Sequence, residues 1–418
     1  MQKLVQIGAG NIGRSFVGQI FSRAGFEVVF VDVDRTIIDA LNERREYTVE
    51  VRDRECATIV VEHVRGVDAR DLKTVTEELA TCRVAATAVG PTALPHVYPS
   101  IAAGLERRLA LDNGPLDLII CENMRDAAHL MYEGVAEHLP PDFPLREMLG
   151  AVETSIGKMV PIMSDDDRAR DPLLVYAEAF NTLICDGAAF LNSPPDVPHL
   201  DPKQNMKPYV DQKLSVHNLG HALCAYLSHL EAPELFRTWE AIEHPAIGPA
   251  VRAGMTESTT ALIAAYPEEF NEENQRELVD DLMVRFANHA LGDTIYRVGR
   301  DVTRKLGRED RIIGSARFDA RYGVSAPYTC LCAAAGMRFR ATDETGEMYD
   351  RDREFAEKVY PRGPEHILRE VSELEPEDPV DATVFQAVLE ADAFVRERLA
   401  AGESILDLSG AQFGRFGG

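Results

Sequence analysis

The stretch Lys3–Gly13, KLVQIGAGNIG, decides the fold of the N-terminal half of the chain. Its apolar start is typical of a short buried strand, and it runs directly into Gly8, Gly10 and Gly13 with the spacing GxGxxG. In that spacing the first glycine permits a tight turn, the second lets a pyrophosphate approach the backbone, and the third lets the following helix pack closely on the strand. Apolar residues then recur with helical spacing up to Gly25. The stretch therefore predicts a strand, a phosphate-binding turn and a helix.

A second apolar segment, Glu27–Val31, ends at Asp32, about 20 residues after the glycines. In a dinucleotide-binding fold, an acid at this place accepts hydrogen bonds from the adenosine ribose hydroxyls and repels an added phosphate. Asp32, with Asp34 close by in sequence, therefore predicts NAD rather than NADP as the cofactor. The alternative for Asp32 is a structural one, a cap on the helix that begins near Arg35.

Two later apolar segments, Val84–Val89 and Leu116–Cys121, are predicted to be further buried strands. Because ligands of open α/β sheets gather at the carboxyl ends of the strands, Asn123 is a candidate for the reacting centre, with an ordinary turn residue as the alternative. The residues expected to bind the cofactor are Gly8, Gly10, Asn11, Ile12, Gly13, Asp32, Val89 and Gly90.

A proline-rich connector at residues 192–198, NSPPDVP, indicates where the first domain ends. We place the boundary after Pro195, so that residues 1–195 form an α/β, Rossmann-type dinucleotide-binding domain with extra strands supplied by residues 151–184. Residues 196–418 are then a mainly α-helical substrate domain, in which the acidic segment 370–381 is predicted to be a solvated loop. The predicted helices of this domain are Lys213–Leu230, Ala250–Tyr266, Glu273–Ala290, Asp293–Leu306 and Thr383–Ala400.

The composition of the chain excludes several classes of protein. Its 418 residues carry a formal net charge of -25, which argues against a nucleic-acid partner because such binders cluster Lys and Arg. No apolar run approaches the roughly 18 residues of a membrane span, and the N-terminus lacks the apolar region of a signal peptide. We therefore expect a cytoplasmic protein with no membrane partner. The seven cysteines are odd in number and scattered, and are expected to be reduced and mostly buried.

The segment 213–226, KLSVHNLGHALCAY, sets an amine, an amide and two imidazoles along one predicted helix. At about 100° per residue its polar side chains share one face and its leucines lie opposite, so the helix is predicted to dock by an apolar stripe. The alternatives are an amphipathic surface helix without chemistry and, from the HxxxH pair, part of a zinc site that lacks the glutamate of a metalloprotease. The polar residues are Lys213, His217, Asn218 and His221, and the leucines are Leu219, Leu223 and Leu230.

The sequence resembles the polyol-specific long-chain dehydrogenases in the order and approximate spacing of six motifs: GAGNIGR, FVDVD, TAVGP, CENM, KLSVHNLGHA and RVGRDVTRKL. The resemblance extends to about Arg340. It implies metal-independent hydride transfer between NAD and a polyol or polyol phosphate, with Lys213 as the general base. It also implies that Asn218 and Asn123 bind the carbonyl or alkoxide oxygen and that His221 orients the substrate.

The residue types agree with that chemistry. A secondary alcohol does not lose hydride readily unless its hydroxyl proton is removed as well, so the site needs a base that works near neutral pH. A lysine can serve if burial or nearby positive charge lowers its pKa from ~10.4. Neutral amide donors can stabilise the developing oxyanion charge.

The substrate is less closely defined, because Gly157-Lys158 stands where these dehydrogenases usually have an aspartate followed by an arginine. Lys158 is expected to take the arginine's place in substrate binding, and the resemblance assigns Arg297 and Lys305 to the substrate site as well. A small polyol phosphate or sugar phosphate is favoured, because a guanidinium binds phosphate through two parallel hydrogen bonds. The alternative substrates are free mannitol and a hexuronate. The alternative function is that of a nucleotide-binding sensor without turnover. A monomeric state is left open.

Arg297 and Lys305 belong to a basic segment within this acidic chain. If the segment were one helix, its six basic side chains would lie within about 140° of one another, although Gly307 is expected to interrupt it. The alternative is that these residues pair with Asp and Glu on a solvated face. The other members of the segment are Arg300, Arg304, Arg308 and Arg311.

Overall fold

The computed structural model describes residues 1–124, 126–161 and 163–416. The chain divides into two compact units, Met1–Lys207 and Pro208–Gly418. The first unit is the predicted α/β domain, and the second is built of helices. Among the described residues, no helix is both long enough and apolar enough to cross a membrane.

The strands are β1 (Lys3–Ile7), β2 (Glu27–Asp32), β3 (Glu46–Val51), β4 (Ala57–Glu62), β5 (Val64–Asp68), β6 (Val84–Thr87), β7 (Leu116–Ile120), β8 (Leu149–Ser155), β9 (Val175–Ala177), β10 (Leu183–Asp186) and β11 (Leu200–Lys203). The α-helices that accompany them are α1 (Gln19–Arg23), α2 (Arg35–Arg44), α3 (Leu72–Thr81), α4 (Tyr98–Ala110), α5 (Ala127–Ala136), α6 (Leu145–Met148) and α7 (Asp165–Arg170). A π-helical segment covers Gly13–Gly18, and short 3₁₀ turns cover Leu94–His96 and Gly187–Ala189.

The main sheet has eight strands in the order β11-β10-β8-β7-β6-β1-β2-β5. β1 lies in the middle and pairs in parallel with β2 on one side and β6 on the other. β7 continues the parallel arrangement beside β6. The carboxyl ends of these four strands therefore lie along one edge, and the loops that follow them carry the residues expected to bind the cofactor.

The four strands predicted in the first domain are confirmed, with small shifts at their ends. β1 stands where it was predicted, β2 includes Asp32, and β6 and β7 end at Thr87 and Ile120. Extra strands from the later part of the unit are also present: β8 and β10 join the main sheet, while β9 joins β3 and β4 in a separate three-stranded sheet.

The first unit extends beyond the boundary predicted at Pro195. β11 follows the proline-rich connector and pairs in parallel with β10, so it still belongs to the main sheet. Val197, within the connector, is buried in the core of the same unit. The prolines therefore mark a turn inside the sheet unit, and the division comes at Lys207.

The second unit begins with one long helix and continues with shorter ones. The long helix consists of α8 (Lys207–Gln212), a π-helical segment (Lys213–Asn218) and α9 (Leu219–Glu231). The further helices are α10 (Thr238–Glu243), α11 (Ile247–Ala265), α12 (Glu272–Phe286), α13 (Ile295–Gly299), α14 (Val302–Lys305), α15 (Ile313–Arg321), α16 (Pro327–Gly336), α17 (Asp350–Glu354), α18 (Pro364–Glu370) and α19 (Pro379–Ala401). A third π-helical segment covers Phe355–Val359, and 3₁₀ turns cover His289–Leu291 and Tyr360–Arg362.

The helix that carries Lys213 is the central element of this unit. α11, α13 and α16 all pack against α9, and between Leu219 and Ser228 each residue of α9 is buried except His221. The prediction of a helix docked by one apolar stripe is therefore wrong. The helix is enclosed by its neighbours, and Leu230, assigned to the stripe, is only partly buried.

The basic and acidic segments near the C-terminus also differ from the prediction. The expected helix Asp293–Leu306 is two short helices, α13 and α14, because the chain turns at Asp301, whose φ of 69° is left-handed. The break therefore comes before Gly307. Within the acidic segment, Asp381 is fully buried and pairs with Arg308 and Arg317, so this part of it is not a solvated loop.

Candidate active site

The glycine turn after β1 fits the three roles that its spacing predicts. Gly8 has a φ of +96°, and a Cβ there would lie 2.5 Å from the carbonyl oxygen of Ala88. Gly13 packs so closely that a Cβ would collide with the carbonyl oxygen of Gly8. At Gly10, by contrast, a Cβ would meet nothing within 4 Å, so the backbone there is open to a ligand. The turn can therefore receive the pyrophosphate of a dinucleotide.

The helix after the turn starts with Asn11, which is exposed, and Ile12, which is partly buried. It then continues as the π-helical segment Gly13–Gly18, a rare geometry that frequently occurs at functional sites. The Tyr47 hydroxyl donates a hydrogen bond to the carbonyl oxygen of Arg14 within this segment, over 2.6 Å. Sequence reasoning missed this support, since nothing in the pattern around Tyr47 indicates a partner in the glycine turn.

Asp32 is tied to the same turn. One carboxylate oxygen, Oδ2, accepts the backbone N–H of Ala9 over 2.6 Å, and Oδ1 accepts the N–H of Asp34 over 2.9 Å. The cap of α2 is Asp34, which accepts the N–H of Thr36. The structural alternative for Asp32 is therefore wrong, and the placement of its carboxylate beside the glycine turn agrees with ribose binding.

Glu122 fixes the second loop of the cofactor edge. Its buried carboxylate accepts the backbone N–H groups of Val89 and Gly90 over 2.9 Å and 2.8 Å, and burial raises its pKa. Val89 and Gly90 stay predicted cofactor contacts, but their N–H groups are already bound. Glu122 was not among the predicted site residues, although a charged residue directly after a buried strand is a usable signal. Asn123 follows it and is exposed.

The ammonium of Lys158 is hydrogen-bonded within the first unit. It donates to the carbonyl oxygens of Glu178 and Phe180, over 3.0 Å and 2.7 Å, and to Oδ1 of Asn181 over 2.9 Å. An ammonium has three donors, and these acceptors use all of them. The side chain is only 7% exposed. Substrate binding by Lys158 stays a prediction, and it competes with this set of bonds.

Lys213 opens the π-helical segment of the second unit. Burial lowers its pKa to about 8, and the positive charge of Arg311 contributes to that shift. A lysine that is partly neutral at this pH can take a proton from a hydroxyl and return it. The amide of Asn218, at the other end of the segment, is partly buried and makes no hydrogen bond within the part of the chain that the structure describes.

Two imidazoles and a phenyl ring pack together beside Lys213. The ring centroids of His217 and His221 are 5.1 Å apart. The ring centroid of Phe286 lies 5.7 Å from that of His217 and 4.3 Å from that of His221. Burial, reinforced by Arg311 and Arg285, lowers the pKa of His221 to about 3. Burial also lowers the pKa of His217 far below its ordinary value. Both imidazoles are therefore neutral near pH 7, and a neutral imidazole can both donate and accept a hydrogen bond.

The two cations assigned to the substrate differ in environment. Arg297 pairs with Asp293, and its side chain is 42% exposed. Lys305 is 3% exposed, and its ammonium donates to the carbonyl oxygen of Arg300. Burial, together with the charge of Arg311, lowers the pKa of Lys305 to about 7. The alternative that the basic segment lies on a solvated face is therefore wrong for Lys305.

Arg311 is the cation common to these groups, and it was not among the predicted site residues. Its charge contributes to the lowered pKa of Lys213, His221 and Lys305. The residue is 9% exposed, and its Nε donates to Oδ1 of Asp310 over 2.8 Å. The second unit thus contains a candidate base, two neutral imidazoles, the amide of Asn218 and several cations.

Comparisons with known proteins cover nearly the whole chain. The family described as mannitol dehydrogenase Rossmann domain matches residues 2–199, and the mannitol dehydrogenase C-terminal domain matches residues 205–403. Mannitol-1-phosphate 5-dehydrogenase of Brevibacillus brevis is 34% identical over 337 residues, which are 80% of this chain and 85% of the relative. The enzyme of the same name from Bacillus licheniformis is 31% identical over 388 residues, 92% of this chain and 98% of the relative.

Two solved structures share the fold. Pseudomonas fluorescens mannitol 2-dehydrogenase, in a ternary complex with NAD and D-mannitol, has a TM-score of 0.73 at 16% identity and covers 98% of this chain and 95% of its own. A D-sorbitol dehydrogenase has a TM-score of 0.74 at 16% identity and covers 96% and 94%. At this identity the likeness concerns the fold alone. The two family matches and the identity to the two bacterial relatives confirm the resemblance: the chain belongs to the mannitol dehydrogenase family.

Proposed function

We propose that the chain is an NAD-dependent dehydrogenase that interconverts a polyol phosphate and a ketose phosphate, with mannitol 1-phosphate and fructose 6-phosphate as the preferred pair. The observation that carries the proposal is the cluster around Lys213, where a base with a pKa of about 8 lies among cations in a chain of net charge -25. The names of the two bacterial relatives support the same pair of substrates.

The first unit offers a binding place for the dinucleotide. The open backbone at Gly10 suits the pyrophosphate, and the carboxylate of Asp32 suits the hydroxyls of the adenosine ribose. Repulsion between Asp32 and a 2′-phosphate favours NAD over NADP. When bound, the nicotinamide supplies the acceptor or donor of the hydride.

The second unit supplies the proton chemistry. Neutral Lys213 removes the hydroxyl proton of the polyol, and protonated Lys213 returns it to the oxygen of the ketose. Asn218 donates a hydrogen bond to that oxygen, and neutral His221 holds a substrate hydroxyl. Asn123, the second amide of this pair, rests on the family resemblance and stays a proposal.

The cations favour an anionic substrate over a free sugar. Lys305 and Arg311 are both buried, and Arg311 shares the carboxylate of Asp310 with Arg304, so a bound phosphate would add compensating negative charge. A hexuronate is the second candidate, because its carboxylate meets the same requirement. Free mannitol carries no charge and would add nothing to that compensation.

The test is a spectrophotometric measurement of NADH oxidation with fructose 6-phosphate, fructose, fructuronate and tagaturonate at equal concentrations. We expect the highest kcat/KM with fructose 6-phosphate. A Lys213→Ala variant prepared in parallel should keep only a small fraction of the wild-type activity with each substrate. Preference for a hexuronate or for fructose would replace the phosphate assignment. Absence of turnover with all four would favour the nucleotide-binding sensor.

We also place the protein in the cytoplasm. All seven cysteines are free in the structure and six are buried, as predicted for a chain kept reduced. A monomeric state stays an expectation, to be checked by light scattering.

A further inference from the structure

We propose that Arg311 is the residue that binds the anionic group of the substrate and so determines specificity for a phosphorylated sugar. The inference rests on the proposed function and goes beyond it, because it assigns the phosphate to one side chain that neither the sequence motifs nor the family resemblance singled out.

The first argument is the hydrogen bonding of the guanidinium. Arg311 is nine-tenths buried, and Nε donates to Oδ1 of Asp310 over 2.8 Å. In the part of the chain that the structure describes, neither Nη1 nor Nη2 has a hydrogen-bond partner. The fork of donors that matches two phosphate oxygens is therefore free and held in one orientation.

The second argument is charge. Arg311 shares Asp310 with Arg304, because the second carboxylate oxygen, Oδ2, accepts a hydrogen bond from Nη1 of Arg304 over 3.0 Å. One carboxylate thus serves two guanidinium groups. A buried and incompletely compensated cation is costly unless a ligand pairs with it, and such groups mark binding sites.

The third argument is location. α15 begins two residues after Arg311 and packs against the π-helical segment that carries Lys213. The charge of Arg311 acts on Lys213, His221 and Lys305 alike, and lowers the pKa of each. The guanidinium is therefore close to the groups that handle the reacting hydroxyl.

The two cations that the family resemblance assigns to the substrate already have partners. Arg297 pairs with Asp293, and Lys305 donates to the carbonyl oxygen of Arg300. The pair with Asp293 occupies Nη1 of Arg297, and Lys305 carries a single ammonium. Among the described residues, both terminal nitrogens of Arg311 are available for parallel bonds to a phosphate.

The experiment compares wild type, Arg311→Gln, Arg311→Lys and, as a control, Arg321→Gln, which removes one positive charge from the exposed C-terminal end of α15, the helix that follows Arg311. We expect Arg311→Gln to lower kcat/KM for fructose 6-phosphate by at least about 10²-fold, mainly through KM, because charge-assisted hydrogen bonds are lost. The value for fructose should change far less. Arg311→Lys should fall between, and Arg321→Gln should match wild type.

Inorganic phosphate is the direct probe. It should inhibit wild type competitively against the sugar phosphate and should lose this effect in Arg311→Gln. NADH binding, followed by fluorescence titration, should be equal in all four proteins and so reports that the fold is intact.

The outcomes separate the inference from the proposed function. If wild type prefers fructose 6-phosphate and Arg311→Gln keeps that preference, or if the variant loses kcat equally for both sugars, the inference is overturned while the function stands. If wild type shows no preference for the phosphorylated sugar, the proposed function itself fails. If Arg311→Gln does not bind NADH, the test uses Arg311→Lys instead. An unchanged KM of that variant for fructose 6-phosphate would equally overturn the inference.

Discussion

The carboxylate of Asp32 holds the backbone N–H of Ala9, with 2.6 Å between Oδ2 and the nitrogen. The acid at the end of β2 is thereby bonded to the turn that follows β1. The residue proposed to bind the ribose thus also shapes the place proposed for the pyrophosphate. A substitution at Asp32 is expected to act on both parts of the dinucleotide at once.

Asp32→Ala should raise KM for NADH by about 10-fold or more, because a charge-assisted hydrogen bond to the ligand contributes ~1.5 to 3 kcal/mol. The ratio of kcat/KM for NADH to that for NADPH should fall together with it. Asp34→Ala is the matched control: it removes the cap of α2, costs about 1 kcal/mol of stability, and should leave that ratio unchanged. A wild type that prefers NADPH would show that the role of Asp32 is misassigned.

Lys213→Ala should lose about 10²-fold to 10⁴-fold in kcat, the usual range for a positioned proton acceptor. NADH affinity should stay close to that of wild type, and added small amines should restore part of the activity. A variant that keeps most of its activity and the parent's pH dependence would contradict the assignment of the base.

The two directions of the reaction should depend on pH in opposite ways. In the proposed mechanism, oxidation of the polyol by NAD needs neutral Lys213 as the proton acceptor, so kcat/KM for oxidation should rise as the pH passes through about 8. Reduction of the ketose needs the protonated amine and should fall over the same interval. Initial rates from pH 6.5 to 9.5 check this. Equal slopes in both directions would exclude Lys213 as the titrating group.

His221 should make the second unit less stable in mild acid. Its pKa is about 3 in the folded state and near 6.5 when unfolded, so between these values the unfolded chain binds more protons. The contribution of neutral His221 to the free energy of unfolding is therefore complete above pH 6.5 and is lost as the pH falls towards 3. At pH 5 the loss is about 2 kcal/mol relative to pH 7.5.

The measurement for His221 is urea unfolding followed by the fluorescence of Trp239, the single tryptophan, which lies in the same unit. In His221→Gln the difference in unfolding free energy between pH 7.5 and pH 5 should shrink by about the same 2 kcal/mol. An unchanged difference would mean that His221 is protonated in the folded state.

Lys158→Met should lower stability more than it alters catalysis. The substitution leaves two carbonyl oxygens and the Asn181 amide oxygen without their donor, at a cost of roughly 2 to 4 kcal/mol. The control is Lys203→Met, which removes a partly exposed ion pair with Asp201 and should cost no more than about 1 kcal/mol. If Lys158→Met instead raises KM for fructose 6-phosphate at unchanged stability, substrate binding by Lys158 is the correct assignment.

The cofactor edge could be predicted because its determinants are local in sequence. Gly8 and Gly13 are fixed by contacts that only glycine allows, and Asp32 follows its strand at the spacing the fold requires. The hairpin of β3 and β4 was missed, although the alternation of buried and less buried residues in β3 is typical of a strand. This hairpin carries Tyr47, whose hydroxyl donates a hydrogen bond to the carbonyl oxygen of Arg14. The two residues are more than thirty positions apart in the sequence.

The roles of Arg311 and Glu122 were missed for a different reason, although the position of Glu122 directly after a buried strand could have indicated it as a site residue. Each acts through groups distant along the chain: Glu122 through Val89 and Gly90, and Arg311 through the field it exerts on Lys213. One-dimensional patterns record which residues are near in sequence, and they contain no information on which charges share a buried space.

The π-helical segment at Lys213–Asn218 has a consequence for anyone who redesigns this enzyme. A π-turn corresponds to one residue more than an α-turn, so deleting a single residue between Lys213 and Asn218 would restore an ordinary helix. Because the widened turn takes up the extra residue locally, α8 and α9 would keep nearly the same rotation about their common axis. The side chains between Lys213 and Asn218 would be redistributed around that axis instead. A regular helix here would therefore have standard hydrogen bonds but a changed spacing between the proposed base and the proposed oxyanion-binding amide.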